Sequence, residues 1–254
     1  MAPAVDLEGR RILVVGASSG IGRAIGLRAS AAGARVAFAA RRRPELESAV
    51  AEAASPALAV TCDATKQEDC TRAVRIVVEA LGGIDDLVYA TGMSPLAMLE
   101  EASADEWREV LDVNVVGASL VTAAALPALR QGHGRAFYIS SYSVRQPLPG
   151  LALYRVSKVA LDGLVECWRM EHPDVDFTRV VVGNTQATGF ADGWDPERLN
   201  RTLKIWVERN LFPAATMMPL EVLAESMVRI LSAPGYVDDV AIMPRSRDAS
   251  ARPR

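Results

Sequence analysis

The chain has 254 residues, 50% apolar and 23% charged, with 28 basic and 31 acidic side chains and a formal charge of −3. That balance lacks the basic surplus of a nucleic-acid binder. Two histidines, and three cysteines with no Cys-x-x-Cys pair, argue against metal chemistry and a disulfide framework and suit a reducing compartment. The N-terminal residues carry charges at Asp6, Glu8, Arg10 and Arg11 and do not read as a signal peptide. No stretch approaches the roughly 18 uncharged apolar residues of a membrane span. A cytoplasmic protein without nucleic-acid or membrane partners is therefore expected.

Seven short apolar runs follow one another along the chain: Ile12–Val15, Val36–Ala39, Ala57–Val60, Leu87–Tyr89, Ala136–Ile139, Val180–Val182 and Val240–Ile242. Each is brief and uncharged, as strands buried on both faces should be. Helix-length segments lie between them near 20–32, 44–54, 66–81, 103–131, 151–171 and 219–232. Strict alternation predicts an α/β fold: one doubly wound parallel sheet of about seven strands, helices on both faces, in one domain over residues 1–244. Two regions break the rhythm. Residues 185–218 form an insertion carrying Phe190, Trp194, Trp206, Phe212, Met217 and Met218, which reads as packing first and binding surface second. Residues 245–254 lack apolar periodicity and read as a flexible tail.

After the first strand comes Gly16-Ala-Ser18-Ser19-Gly20-Ile21-Gly22, leading into an apolar helix. A sharp strand-to-helix turn and close approach of a pyrophosphate both exclude a Cβ. The first amides of the helix, near Ile21, are unpaired and lie at the positive end of its dipole, so they attract phosphate. The spacing G-x-x-x-G-x-G is where the chain resembles the short-chain dehydrogenase/reductase family, and the resemblance extends over nearly all of residues 10–244. It implies a Rossmann-type dinucleotide site at this turn.

A carboxylate for the ribose 2′-hydroxyl is expected at the end of the second strand of an NAD enzyme. This chain has Ala40, followed by Arg41, Arg42 and Arg43. Guanidinium groups without a repelling carboxylate favour a 2′-phosphate, so NADP is expected over NAD, with Arg41 first and Arg42 second as its ligands. Asp63 and the adjacent Ala64 match the family's adenine-contacting positions; Asp63 could equally cap a helix, a job Thr65 could share. Tyr89-Ala-Thr91-Gly92 stands where the family has Asn-Asn-Ala-Gly, retaining the glycine and losing both amide side chains. Gly183-Asn184 replaces the family's Pro-Gly, with Asn184 expected in the glycine role at positive φ, and Thr188 matches a nicotinamide contact.

Tyr154 and Lys158 are four residues apart and share one helical face. Ser141 ends the fifth strand, thirteen residues before Tyr154, and Asn114 lies in the preceding helical stretch. The resemblance implies that Ser141, Tyr154, Lys158 and Asn114 are catalytic and that Tyr154 and Lys158 also meet the cofactor. It further implies that Asn114 interrupts its helix and holds a water connecting Lys158 to solvent. Reduction of a carbonyl needs a proton donor beside the nascent alkoxide. A phenol titrates near 10, so the Lys158 ammonium is expected to draw Tyr154 down, while Ser141 polarises the carbonyl.

Met93, Leu96, Tyr142, Gln146, Leu148, Leu151 and the insertion should wall an apolar pocket for a small carbonyl or alcohol, with Arg145 and Arg155 as possible carboxylate clamps. The insertion should act as a lid. Small and apolar residues on 103–131 and 151–171 predict a homodimer or homotetramer. The alternative function is a non-catalytic NADP-binding sensor or scaffold; a nucleotide-sugar epimerase would need a larger C-terminal domain.

Overall fold

A computed structural model describes residues 5–186, 188–211 and 217–245. Phe212 of the insertion and residues 246–254 of the expected tail lie outside these.

Seven strands are present: β1 (Arg11–Val15), β2 (Arg35–Ala40), β3 (Ala57–Thr61), β4 (Asp86–Tyr89), β5 (Arg135–Ser141), β6 (Asp176–Val182) and β7 (Asp239–Ile242). They form one all-parallel sheet in the order β3-β2-β1-β4-β5-β6-β7. The helices are α1 (Gly20–Ser30), α2 (Arg43–Glu52), α3 (Gln67–Leu81), α4 (Ala104–Leu111), α5 (Gly117–Gln131), α6 (Ala152–Glu171), α7 (Pro196–Glu208) and α8 (Leu220–Leu231).

The period-2 alternation of the strands makes two apolar layers. Leu13 and Val15 point to the face covered by α3, α5 and α6, and Ile12 and Val14 to the face covered by α1, α2 and α8. Strand order reverses between β1 and β4, so the loops leaving their C-terminal ends part and open a crevice there. The opposite edge is closed by charge. Asp86, fully buried, accepts from Arg10 and Arg135 at 2.8 Å each, and Arg135 also donates to the Leu231 and Ala233 carbonyls.

α4 and α5 are one continuous helical run whose register slips into a π turn at Asp112–Val116. A Ser103/Glu106 capping box starts it. By length and composition alone this run, Ala104–Gln131, is long and apolar enough to cross a membrane. In the fold its Ala118, Val121, Ala125 and Leu129 pack into the sheet layer.

The insertion contains a helix, α7, outside the segments expected to be helical. Asp195 caps α7 by accepting from the Arg198 amide at 2.8 Å, with Pro196 at the first position. Leu199, Leu203 and Trp206 of α7 join Phe190 and Trp194 in a small cluster on Leu96, Leu148 and Leu151. The insertion is pinched at its neck: Thr185 bridges to Met218, whose amide donates to the Asn184 carbonyl and whose carbonyl accepts from Gln186.

Candidate active site

The glycine turn joins β1 to α1 at the crevice. Gly16 and Gly20 have φ of +90° and +53°; a Cβ on Gly16 would lie 2.7 Å from the Thr91 nitrogen, and one on Gly20 2.5 Å from the Thr188 carbonyl oxygen. A Cβ on Gly22 would collide with the Gly16 carbonyl. Ser19 takes the N-cap position of α1 without a capping hydrogen bond. The first amides of α1 are thus not met by their own cap, and the buried Thr91 hydroxyl beside Gly16 has no partner. A cradle intolerant of Cβ atoms, an uncapped helix start and an orphaned hydroxyl suit a dinucleotide pyrophosphate.

The arginines after β2 separate in space. Arg42 donates to the hydroxyls of Ser18 and Ser19 at 2.9 and 2.8 Å, and so lies directly on the turn. Arg41 lines the same cleft without a hydrogen bond or ion pair among the described residues, and Arg43 turns away to Glu47. Of Arg41 and Arg42, Arg42 is the one that stands on the glycine turn. Asp63 caps its own turn, accepting from the amide and hydroxyl of Thr65, while it and Ala64 line the cleft.

Ser141 ends β5, and its hydroxyl accepts from the Ser143 amide. Tyr154 and Lys158 lie on the first turns of α6, with the ammonium 5.7 Å from the phenol ring centre. Lys158 is 2% exposed and donates to the Ile139 carbonyl at 2.8 Å. Burial pushes the Tyr154 phenol up to about 12, and the Ser141 hydroxyl works against that rise. Burial likewise pushes Lys158 down to about 8, opposed by the carboxylate of Asp162. In the chain alone, burial and the Ser141 hydroxyl are the causes of the Tyr154 shift. The ammonium is itself desolvated, and its hydrogen bond goes to Ile139.

Asn114 sits inside the π turn, fully buried. Its amide donates to the Met93 carbonyl and the Ser157 hydroxyl, and its Oδ1 accepts from the Met93 amide, so it ties the loop after β4 to α6. Both amide hydrogens are committed there, which leaves none to donate toward a water beside Lys158. The lost family asparagines are compensated by Tyr89. Its hydroxyl donates to the Val113 carbonyl of the π turn and occupies the space where a Cβ on Gly117 would intrude, 2.6 Å away. Asn184 does not adopt positive φ, contrary to expectation. The turn depends on Gly183, where a Cβ would lie 2.7 Å from Pro244.

These parts face one cleft of about 2080 Å³ that holds every expected wall residue: Met93, Leu96, Tyr142, Gln146, Leu148 and Leu151. The Tyr154 ring meets Phe190 edge-on at 4.7 Å, and Phe190 meets Trp194 at 5.6 Å. The Trp194 and Trp206 indoles donate to the Ser94 and Pro149 carbonyls. Arg145 lines the cleft, whereas Arg155 donates instead to the Val144 carbonyl. Arg198, unnoticed in the sequence, lines it too but is paired with Glu106 at 2.8 Å. Asp162 also went unnoticed, although it stands one helical turn beyond Lys158.

A family model described as short chain dehydrogenase matches residues 10–198. An 11-beta-hydroxysteroid dehydrogenase A of Sesamum indicum is 36% identical over 70% of this chain; the chain spans about half (53%) of that relative's length. A dehydrogenase/reductase from Sinorhizobium meliloti superimposes with a TM-score of 0.79 at 28% identity, covering 94% of this chain and 95% of that one. An alcohol dehydrogenase from Thermococcus sibiricus complexed with 5-hydroxy-NADP superimposes with a TM-score of 0.80 at 24% identity, covering 96% and 99%, a likeness of fold.

Proposed function

We propose, from the fact that the chain belongs to the short-chain dehydrogenase family, that it is an NADP-dependent oxidoreductase interconverting an apolar carbonyl compound and its alcohol. The observation that carries this reading is the meeting of Ser141, Tyr154 and Lys158 in the same cleft as the glycine turn. A bound nicotinamide dinucleotide supplies the hydride donor or acceptor.

The chain's own groups do the rest. The α1 amides take the pyrophosphate, Arg42 takes the 2′-phosphate with Arg41 behind it, and Lys158 reaches the ribose hydroxyls. Ser141 donates to the carbonyl oxygen and fixes its orientation. Tyr154 passes its proton to that oxygen in reduction and recovers one in oxidation. Burial holds the Tyr154 phenol near 12, so at neutral pH it is in the protonated form that reduction requires. Phe190, Trp194 and Leu148 supply an apolar wall, and the pinched insertion is read as a lid. The exposed Val116, Val156 and Val159 support a symmetric homo-oligomer, which light scattering tests.

The test is consumption of NADPH and NADH over a panel of ketones, aldehydes and hydroxy acids. Turnover of apolar carbonyls with NADPH preferred is expected. Cofactor binding without turnover on any of them would move the chain to the sensor or scaffold reading.

A further inference from the structure

The sheet face under α6 carries an acidic group that the scheme above does not use. Asp162 is one turn beyond Lys158, which is itself one turn beyond Tyr154, so all three lie along one stripe of the helix. Asp162 is 7% exposed. Its Oδ2 stands 3.6 Å from Arg179 of β6. Ser140 of β5 faces the same space between strand and helix, its buried hydroxyl turned to the Asp162 carboxylate.

We infer that Asp162 is a positioning residue for the active site: its buried carboxylate holds Lys158 in the ammonium form in which the lysine serves catalysis. This rests on the role assigned to Lys158 above. The charged surroundings support the inference from each side. On α6 the neighbours are Lys158 and Glu166; β6 contributes Arg179, and β7 contributes Asp239, which holds Arg179. From the π turn the neutral Asn114 donates to Ser157 of α6. Asp162 is the carboxylate that opposes the loss of the Lys158 proton on burial. Arg179 and the Ser140 hydroxyl in turn favour the ionised form of Asp162, against the cost of its own burial.

The chain contains only three lysines, Lys66, Lys158 and Lys204, and the first and last are exposed. Lysine labelled with carbon-13 at Cε therefore gives three resonances, and the buried lysine identifies itself by its titration. In the wild-type protein one resonance is expected to titrate near 8. Asp162→Asn is expected to move the Lys158 midpoint down by about one pH unit, and Asp162→Glu to recover at least half of that shift. The alkaline limb of turnover should move in parallel. If the Lys158 midpoint is the same in wild type and Asp162→Asn, the inference fails. Should Asp162→Asn not fold, the wild-type titration and the Asp162→Glu midpoint still decide. The resonance needs no turnover, so absence of turnover on every substrate with the shift intact would sink the reductase reading alone.

Discussion

The two ends of the sheet are built on opposite terms. At the N-terminal edge, both carboxylate oxygens of buried Asp86 are taken by Arg10 and Arg135, and Arg11 pairs with Asp85. At the C-terminal edge, Thr91 and Ser143 hold buried hydroxyls without partners, and Lys158 is buried with one carbonyl for company. Buried polar atoms are ordinarily satisfied. Where they are satisfied the polarity serves the fold; the Thr91 and Ser143 hydroxyls left over in the crevice are available to a ligand.

Five substitutions can break or sharpen that contrast. Tyr154→Phe should lower turnover roughly 10³-fold and leave cofactor affinity unchanged, as read by NADPH consumption and a binding titration. Turnover within tenfold of wild type would remove the phenol from its role. At the other edge, Asp86→Ala should cost about 3–5 kcal/mol in urea unfolding, because two guanidinium groups lose a buried partner. A loss below about 1 kcal/mol would mean that the ion pairs do not close this edge.

Lys158→Met tests the cost of the buried ammonium through pH. A lysine at about 8 when folded and near 10.4 when unfolded binds fewer protons in the folded state between those values. Wild-type stability should therefore rise relative to the methionine variant from pH 8 to 10.4, by about 3 kcal/mol in all. A flat difference between the two unfolding curves would show that Lys158 titrates normally. The smallest effect is at Arg42: Arg42→Ala should reduce preference for NADPH over NADH about tenfold, and Arg41→Ala by less. The reverse ranking would restore Arg41 to first place.

Much of this was legible in the chain because it depends on local chemistry. The glycine spacing places a Cβ-free turn between β1 and α1, and the seven apolar runs locate the strands to within a few residues. Tyr154 and Lys158 share a helix face by spacing alone. What the sequence did not disclose depends on contacts far along the chain. Arg41 and Arg42 are equivalent until the turn serines stand beside one of them. Tyr89 reads as a lost asparagine until Val113 and Gly117 come into view. The fall of Lys158, and the rise of Tyr154 in its place, follow from burial that neither residue type announces. The start of α7 is the exception: Asp195-Pro196 is a helix-opening pair that could have been read directly.

The clasp formed by Thr185 and Met218 returns the chain to nearly the point it left, so everything between these rungs is a detour the sheet does not need for its own pairing. Such a segment can lengthen, shorten or be exchanged for another while strand register is conserved. Grafting a different excursion between the same two rungs would then re-aim the enzyme at new compounds without re-engineering its scaffold.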